Sequence, residues 1–582
     1  MASEMASQMV NEMVSEMVSE MESETAGSPA AHRNNQTADQ AAQKAASMNT
    51  LQDVLLHWAR AQPEAPLLIA PETDRVLTYG QLLQQTQALA RTFAAQGIAP
   101  GAHIGLFLQN GLQTTRLFLS IMAAGYVVTP FNLLAQEDQL AWVLDHSDCQ
   151  LVFYSAEQAR TLQAAMGKAK RRVVAVEIDP NAQALSFDQG AAVNASEQMS
   201  LPPVRADQPA LLMYTSGTTG TPKGVRLSHH NLIHAARSVS AWHQLGPNDR
   251  VLSSLPLYHI NGQSIATITP FFSGGSIVAP QKFSVSQWWP MVQKYQCTWI
   301  NMVPTIIAYL LNASNDPDVP DATALRHIRF GRSASAPLPP EHHQAFEKRF
   351  GVTVIEAMGM TESSSLVFCN PHDDRRRYGS PGLPCGIEAK VVSPEGALLA
   401  DNETGEICLR GDNVMAGYYK GEEETRKAFD PEGWLKTGDL GLRDSDGFYF
   451  VTGRLKELII KGGENIAPRE IDEVLLNHTA ILDAACVGVP DANYGQEIMA
   501  CLVLREGVTC TEAEIRAFCH DKLGRYKTPK DFHFVSDLPR GPSGKVQRLK
   551  LTDWVKAEST AAAAPKAAGS VGSDASGVTL NR

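Results

Sequence analysis

No stretch of the 582-residue chain approaches the roughly eighteen uninterrupted apolar residues of a bilayer-crossing helix, so a membrane span is excluded. Basic charge is in deficit: 50 Lys+Arg stand against 62 Asp+Glu, a formal net charge of −12. With a pI near 5.8, the chain is a poor bulk electrostatic partner for nucleic acid, whose phosphates require clustered Lys and Arg. Cysteine is sparse. The nine residues are odd in number, scattered from Cys149 to Cys519 and never spaced C-x-x-C. That pattern is neither a disulfide framework nor a zinc site, and it fits a reducing, cytoplasmic setting. What is present is ordinary for a globular protein, 44% hydrophobic and 19% charged, at a length of enzyme size with room for a large core.

The two ends differ from the middle. Residues 1–25 repeat Met every four positions with Ser, Glu and Val between, and Glu4, Glu12, Glu16 and Glu20 take the place of the basic start of a signal peptide. Residues 1–50 hold seven acidic and two basic residues, so −5 of the −12 belongs to them. They read as a low-complexity disordered tail. Globular patterning begins at Met48–Thr50, and Met48 is a candidate start of translation. Residues 558–582, rich in Ala, Gly and Ser, read as a flexible tail.

Between the tails, short apolar runs alternate with amphipathic stretches, an α/β pattern. Residues 103–108, 126–129 and 210–214 predict strands, and 114–124 a helix. Pro468 predicts the first turn of a helix over 469–478. Thr511 with Glu514 predicts a capping box for a helix reaching Leu523, and residues 484–489 and 498–504 predict strands. The reading is one large α/β body over 51–455 followed by a small α+β unit over 456–557.

The strand ending at Tyr214 runs into Thr215-Ser216-Gly217-Thr218-Thr219-Gly220-Thr221-Pro222-Lys223-Gly224-Val225. With Tyr214 these twelve residues hold five Ser/Thr hydroxyls, three glycines and one lysine. Glycines admit backbone N–H groups to an anion, hydroxyls add donors and the lysine adds a point charge, which together make a phosphate cradle. A Walker A loop requires Gly, Lys and then Ser/Thr, so Pro222 before Lys223 and Gly224 after it exclude that type.

This loop resembles the signature of the adenylate-forming superfamily, which includes acyl- and aryl-CoA synthetases, peptide-synthetase adenylation domains and luciferases. Further segments follow in the order of that family. Leu255-Pro256-Leu257-Tyr258-His259 is similar to its aromatic/His segment beside the acyl site. Met358-Gly359-Met360-Thr361-Glu362 is similar to its Y-G-x-T-E motif, with Met in place of Tyr. Thr437-Gly438-Asp439, Gly453-Arg454-Leu455-Lys456-Glu457, Lys461-Gly462-Gly463-Glu464-Asn465-Ile466 and Arg540-Gly541-Pro542-Ser543-Gly544-Lys545 complete the set. The resemblance covers roughly residues 51–555.

The resemblance implies an ATP-dependent acid–CoA ligase. A carboxylate would attack the α-phosphate of ATP, giving an acyl-adenylate and pyrophosphate, and the thiol of coenzyme A would then displace AMP. It implies Lys545 as the cation of the first step, with Thr361, Glu362 and His259 beside it. Thr215, Ser216, Gly217, Thr218, Thr219, Gly220, Lys223, Ala357, Met358, Gly359, Asp439 and Arg454 would bind ATP. Glu362 would hold Mg²⁺, since one carboxylate beside triphosphate suits a metal ion. Lys456 would be the hinge, and Lys461, Gly462 and Gly463 would meet CoA. Met358 departs from the usual Tyr and offers the adenine only a polarisable apolar cover.

The acid itself falls to His259, Arg332 and Ser333. Phe330-Gly331-Arg332-Ser333-Ala334-Ser335 is similar to the R-S-x-S segment of oxalate–CoA ligases, and arginine suits bidentate recognition of a carboxylate or sulfonate. The expectation is a small polar or dianionic acid of the oxalate, malonate or sulfoacetate type. A local acidic partner for Arg332 is the alternative. Arg375-Arg376-Arg377, after Asp373-Asp374, reads as a solvated, salt-bridged loop. Competing functions are a medium- or long-chain fatty acid–CoA ligase, an adenylation module loading a carrier protein, a luciferase-like oxygenase and a non-enzymatic AMP sensor. Nothing resembling a carrier follows Lys545, and a sensor is expected to lack Lys545 or Glu362.

Overall fold

The computed structural model describes residues 48–185, 187, 200–215, 222–313, 319–541 and 545–553. Among them the chain divides into two compact units, with the break between Leu455 and Lys456. No helix among the described residues is long and apolar enough to cross a membrane.

Met48 and Thr50 are both buried. Thr50 caps the helix Leu51–Ala61: its side chain accepts from the Asp53 amide, and the Asp53 carboxylate accepts from the Thr50 amide. This reciprocal box satisfies two donors that a helix start otherwise leaves open.

Two largely parallel sheets carry the first unit. One runs, from edge to edge, through Leu383–Pro384, Phe368–Cys369, Val354–Met358, Phe330–Ser333, Trp299–Met302, Arg250–Leu252, Ser276–Val278, Pro66–Ala70 and Arg75–Thr78. Its central strands are parallel and its edges antiparallel. The other runs through Val174–Glu177, Cys149–Tyr154, His103–Phe107, Val127–Pro130, Pro209–Thr215 and Lys223–Ser228, with only the last strand antiparallel. The helix Leu112–Ala123 is buried along all twelve residues. Such all-round burial marks a helix enclosed within the body rather than laid on its surface. A four-stranded antiparallel sheet of Glu388–Val392, Gly405–Arg410, Leu435–Arg443 and Tyr449–Arg454 completes the unit. The strands expected over 103–108, 126–129 and 210–214 appear as His103–Phe107, Val127–Pro130 and Pro209–Thr215, and the helix expected over 114–124 appears as Leu112–Ala123.

The second unit is α+β. Its sheet joins Glu464–Ile466, Ile459–Lys461, Gly495–Leu504, Ile481–Asp491 and Asp531–Phe534. The helices Pro468–Leu476 and Glu512–Lys527 accompany it. Pro468 opens the first of these, and Thr511 with Glu514 forms the capping box of the second. Gly524, at φ 71°, interrupts that second helix, one residue beyond the expected limit at Leu523. Ile459, Ile471, Leu475, Ile481, Ile498, Leu502 and Ile515 form its core, each fully buried. Each such aliphatic side chain contributes roughly 1.5–3 kcal/mol by leaving water. All nine cysteines are free thiols, and eight of them are buried.

Candidate active site

The phosphate-loop residues Ser216, Gly217, Thr218, Thr219 and Gly220 lie outside the described residues. The two ends of their loop are described. Thr215 and Lys223 face each other as register partners in an antiparallel pair. The Lys223 ammonium lies 4.8 Å from the centre of the Tyr418 ring. The Tyr418 hydroxyl donates to Oε1 of Glu362 at 2.9 Å. The backbone holds this arrangement too, since the Tyr419 amide donates to the Gly224 carbonyl at 2.7 Å and Val225 bridges Tyr418.

Glu362 sits in a short 3-10 turn, Thr361–Ser363, that follows the strand Val354–Met358. Ala357 is buried and Met358 half-buried at the end of that strand. Gly359 must be glycine, because a Cβ there would stand 2.1 Å from the Ser365 carbonyl oxygen. The turn is strained: Ser364 and Ser365 take φ of 55° and 69°, a left-handed region costly for side chains other than glycine. Asn413, fully buried, compensates. Its Nδ2 donates to the carbonyls of Ser363 and Leu366 at 2.9 and 2.8 Å, and its own carbonyl accepts from Ser364 Oγ. The Met415 amide holds the Glu362 carbonyl at 2.8 Å. Burial pushes the Glu362 carboxyl above its ordinary pKa, against the pull of its own amide, the Tyr418 hydroxyl and the Arg454 charge; Asp439 adds to the rise.

Asp439 and Arg454 are register partners on neighbouring strands, joined by an Nε–Oδ1 ion pair of 2.7 Å. The carboxylate side chain is 4% exposed and the guanidinium 41%. Thr437 Oγ1 donates to the Ile407 carbonyl and accepts from the Asp439 amide, which fixes the approach to the aspartate.

A second cluster surrounds His259. Its Nδ1 accepts from the Asn261 amide at 3.3 Å, which leaves the ring proton on Nε2. Burial lowers its pKa to about 4, so the ring is neutral near pH 7. Asn261 opens a π-helix, Asn261–Ile268, a rare form concentrated at functional sites. Its Oδ1 accepts from Asn301 Nδ2 at 3.1 Å and from Arg332 Nη1 at 3.4 Å, and its Nδ2 donates to Ser335 Oγ at 3.2 Å. Arg332 is fully buried, and no carboxylate pairs with it among the described residues.

The structure separates Arg332 from Ser333. Adjacent residues of the strand Phe330–Ser333 project to opposite faces. Arg332 therefore keeps company with Asn301 on the next strand, while Ser333 is the register partner of Met302 and Glu356. Ser335, at φ 77°, joins the Arg332 cluster instead. The run Arg375-Arg376-Arg377 is salt-bridged as expected. Arg375 pairs with Asp373, Arg376 with Glu347, and Arg377 with Asp444 and Asp446.

In the second unit, Lys456 lies in the short turn Leu455–Glu457. Gly462 and Gly463 form a two-residue hairpin turn at φ 57° and 90°, where both positions require the left-handed region. The Lys461 ammonium does not reach outward. It is buried against Glu497 at 2.9 Å and the Tyr526 carbonyl at 2.8 Å, above the rings of Tyr526 and Tyr494. Lys545, which groups with the first unit, is half-buried. Sequence reasoning missed Tyr418, Asn413, Asn261, Asn301 and Glu497. None of them carries a periodic or motif signal, and each acts across a long separation in the chain.

Residues 55–419 match the family model of AMP-binding enzymes, and residues 470–545 match that of the AMP-binding enzyme C-terminal domain. The chain is 52% identical over 504 residues to a sulfoacetate–CoA ligase of Cupriavidus necator, covering 86% of this chain and 97% of that protein. It is 36% identical over 470 residues to an oxalate–CoA ligase of Arabidopsis thaliana, covering 79% and 90%. Among solved structures, ATP-bound MatB from Rhodopseudomonas palustris superposes with a TM-score of 0.78 at 29% identity, covering 86% of this chain and 98% of that one. Family models across both units, with full-length relatives of this similarity, leave one assignment: the chain belongs to the AMP-binding enzyme family.

Proposed function

We propose that this enzyme is an ATP-dependent acid–CoA ligase whose acid is a small one with a second anionic group, sulfoacetate first among the candidates. The observation that carries the choice of acid is Arg332, a fully buried guanidinium with no carboxylate partner among the described residues, in one cluster with His259. A buried charge without a counter-ion is expensive, and an anionic substrate group would supply one. A fatty acyl tail in the same place would leave the guanidinium desolvated and unpaired. The sulfoacetate–CoA ligase relative at 52% identity supports the same choice.

In the first step, a carboxylate oxygen of the acid attacks the α-phosphorus of ATP. The bond to the bridging oxygen breaks and pyrophosphate leaves. In the second step, the CoA sulfur attacks the acyl carbon of the adenylate and AMP leaves with the electron pair of the broken C–O bond. Negative groups converge in the first step, so the site must neutralise charge and align the attack. Thr215, Lys223 and the intervening loop are suited to the phosphates, and Asp439 with Arg454 to the ribose hydroxyls. Ala357, Met358 and Gly359 would flank the adenine. Neutral His259, with its proton on Nε2, can donate a hydrogen bond to the acyl carboxylate without adding charge. Lys545 is the candidate for the cation at the attack. Gly462 and Gly463 offer bare backbone for pantetheine.

Glu362 fits Mg²⁺ as one carboxylate beside phosphate oxygens, which is how that ion is commonly held; when bound, the ion supplies charge neutralisation on the phosphates. No cluster of three or more potential ligands that could hold a metal exists among the described residues, so triphosphate would have to supply the remaining oxygens. We place the reaction in the cytoplasm, where ATP and CoA are supplied.

Pyrophosphate release over a panel of acids, with and without CoA, tests this reading. Sulfoacetate, oxalate or malonate should lead the panel, with thioester formed only when CoA is present. Turnover led by octanoate or a longer acid would overturn the assignment of the acid.

A further inference from the structure

Only one nitrogen of the Arg332 guanidinium is engaged among the described residues. Nη1 reaches Asn261 Oδ1 at 3.4 Å, while Nε and Nη2 meet no acceptor. These two nitrogens form one edge of the planar group. Their N–H bonds run parallel, at the spacing of two oxygens of a carboxylate or sulfonate. Asn261 thus ties down the far end of the guanidinium and leaves the bidentate edge for a ligand.

The orientation of Asn261 is itself fixed on both sides. Asn301 Nδ2 donates to its Oδ1, and its Nδ2 donates to Ser335 Oγ. Asn261 and Asn301 are 1% and 0% exposed, so water does not compete for these bonds. The backbone is held as well, since a Cβ at the next residue, Gly262, would stand 2.6 Å from the Pro256 carbonyl oxygen. The residue type matters. An amide oxygen orients a guanidinium and leaves its charge intact, whereas a carboxylate in the same place would cancel it. The other titratable groups that feel this charge are the Cys369 and Cys385 thiols and the His243 ring, and none is a carboxylate.

We propose that Asn261, locked by Asn301, is a specificity-determining residue: it turns the Nε/Nη2 edge of Arg332 toward the substrate and keeps that edge cationic for a second anionic group. This rests on the reading of Arg332 given above. The ligand chemistry is two coplanar oxygens sharing a negative charge, whether from a sulfonate or a carboxylate.

The test is Asn261→Asp, nearly isosteric, assayed by pyrophosphate release in the full-length enzyme. The preference for sulfoacetate over acetate, as a ratio of kcat/KM, should fall by about 100-fold, the scale for losing a buried charge contact. Turnover of acetate should persist, and thermal unfolding should show a midpoint no lower than that of the parent. Asn301→Ala should lower the same ratio by about fivefold through KM, the scale of one neutral hydrogen bond. Malonate and oxalate, run in parallel, identify which anion the edge prefers. A ratio unchanged in Asn261→Asp, or an equal loss on every acid, would overturn the proposal. Arg332→Met separates the two readings. If it abolishes the preference while Asn261→Asp does not, only the role of Asn261 falls; if it too leaves the preference intact, the reading of Arg332 falls.

Discussion

The hydroxyl of Tyr418 donates to Glu362 at 2.9 Å while the same ring lies beneath the Lys223 ammonium at 4.8 Å. One tyrosine thus connects Lys223 to the carboxylate proposed for Mg²⁺, and it does so in two ways, through its ring and through its hydroxyl. Tyr418→Phe separates them, since it keeps the cation–π surface and removes the donor. The kcat/KM for ATP should fall about tenfold, the cost of a hydrogen bond to a charged acceptor, and the Mg²⁺ concentration for half-maximal pyrophosphate release should rise. Tyr418→Ala should cost more, because Lys223 then loses its seat as well. Equal behaviour of the two variants would show that the hydroxyl contributes nothing.

Arg332 predicts a conflict between stability and activity. A buried ion without its partner is costly, and even a buried ion pair replaced by apolar side chains of similar volume is often neutral or stabilising, by roughly 1–4 kcal/mol. Arg332→Met should therefore raise the unfolding free energy of the ligand-free protein in urea while abolishing turnover of sulfoacetate. Sulfoacetate added to the parent should raise its unfolding midpoint by mass action and leave that of the variant unmoved. A destabilised Arg332→Met would mean that the guanidinium is already satisfied within the protein.

Much of the architecture could be read from the chain because it rests on short-range physics. Thr511 with Glu514, and Pro468 at a first turn, mark helix starts by chemistry contained within a few residues. The strand before the phosphate loop is legible for the same reason. What escaped depends on distance. Asn413 braces Ser363 across fifty residues of chain, and a lone asparagine in a loop carries no pattern to announce it. Arg332 and Ser333 read as neighbours in a motif, yet strand geometry sends them to opposite faces. Lys461 reads as a ligand-facing cation beside two glycines, but Glu497, thirty-six residues on, claims its charge. Charge is visible in a sequence, whereas its counter-ion is not.

Histidines should make the protein sensitive to mild acid. His229 is fully buried at the first turn of the helix His229–Trp242, its Nδ1 accepting from the Leu51 amide at 3.3 Å. Burial lowers its pKa to about 4, and the positive end of the helix dipole opposes its protonation too. A folded pKa below the unfolded value of about 6.5 means that the unfolded chain binds the proton first. Stability is therefore retained above pH 6.5 or so and declines as pH falls toward 4, by at most about 3 kcal/mol for this group. His229→Gln should flatten urea-unfolding free energies across that window. An unchanged slope would show that His229 does not drive the acid response.

The ion pair of Lys461 with Glu497 should matter to one half-reaction only. Both side chains are under 9% exposed, and the Tyr526 hydroxyl donates to the Lys461 carbonyl at the base of the Gly462-Gly463 turn. The pair braces a turn whose glycines leave its backbone bare. Glu497→Gln strands a buried ammonium, so the second unit should lose about 3 kcal/mol of stability. The turn then loosens, and the KM for CoA should rise by about tenfold, the effect of roughly 1.4 kcal/mol. ATP–pyrophosphate exchange driven by the acid alone should be unaffected, because it does not involve the thiol. Replacing both partners by methionine removes the stranded charge and should recover most of the stability without restoring the KM. Parallel losses in exchange and thioester formation would show instead that the pair supports the fold alone.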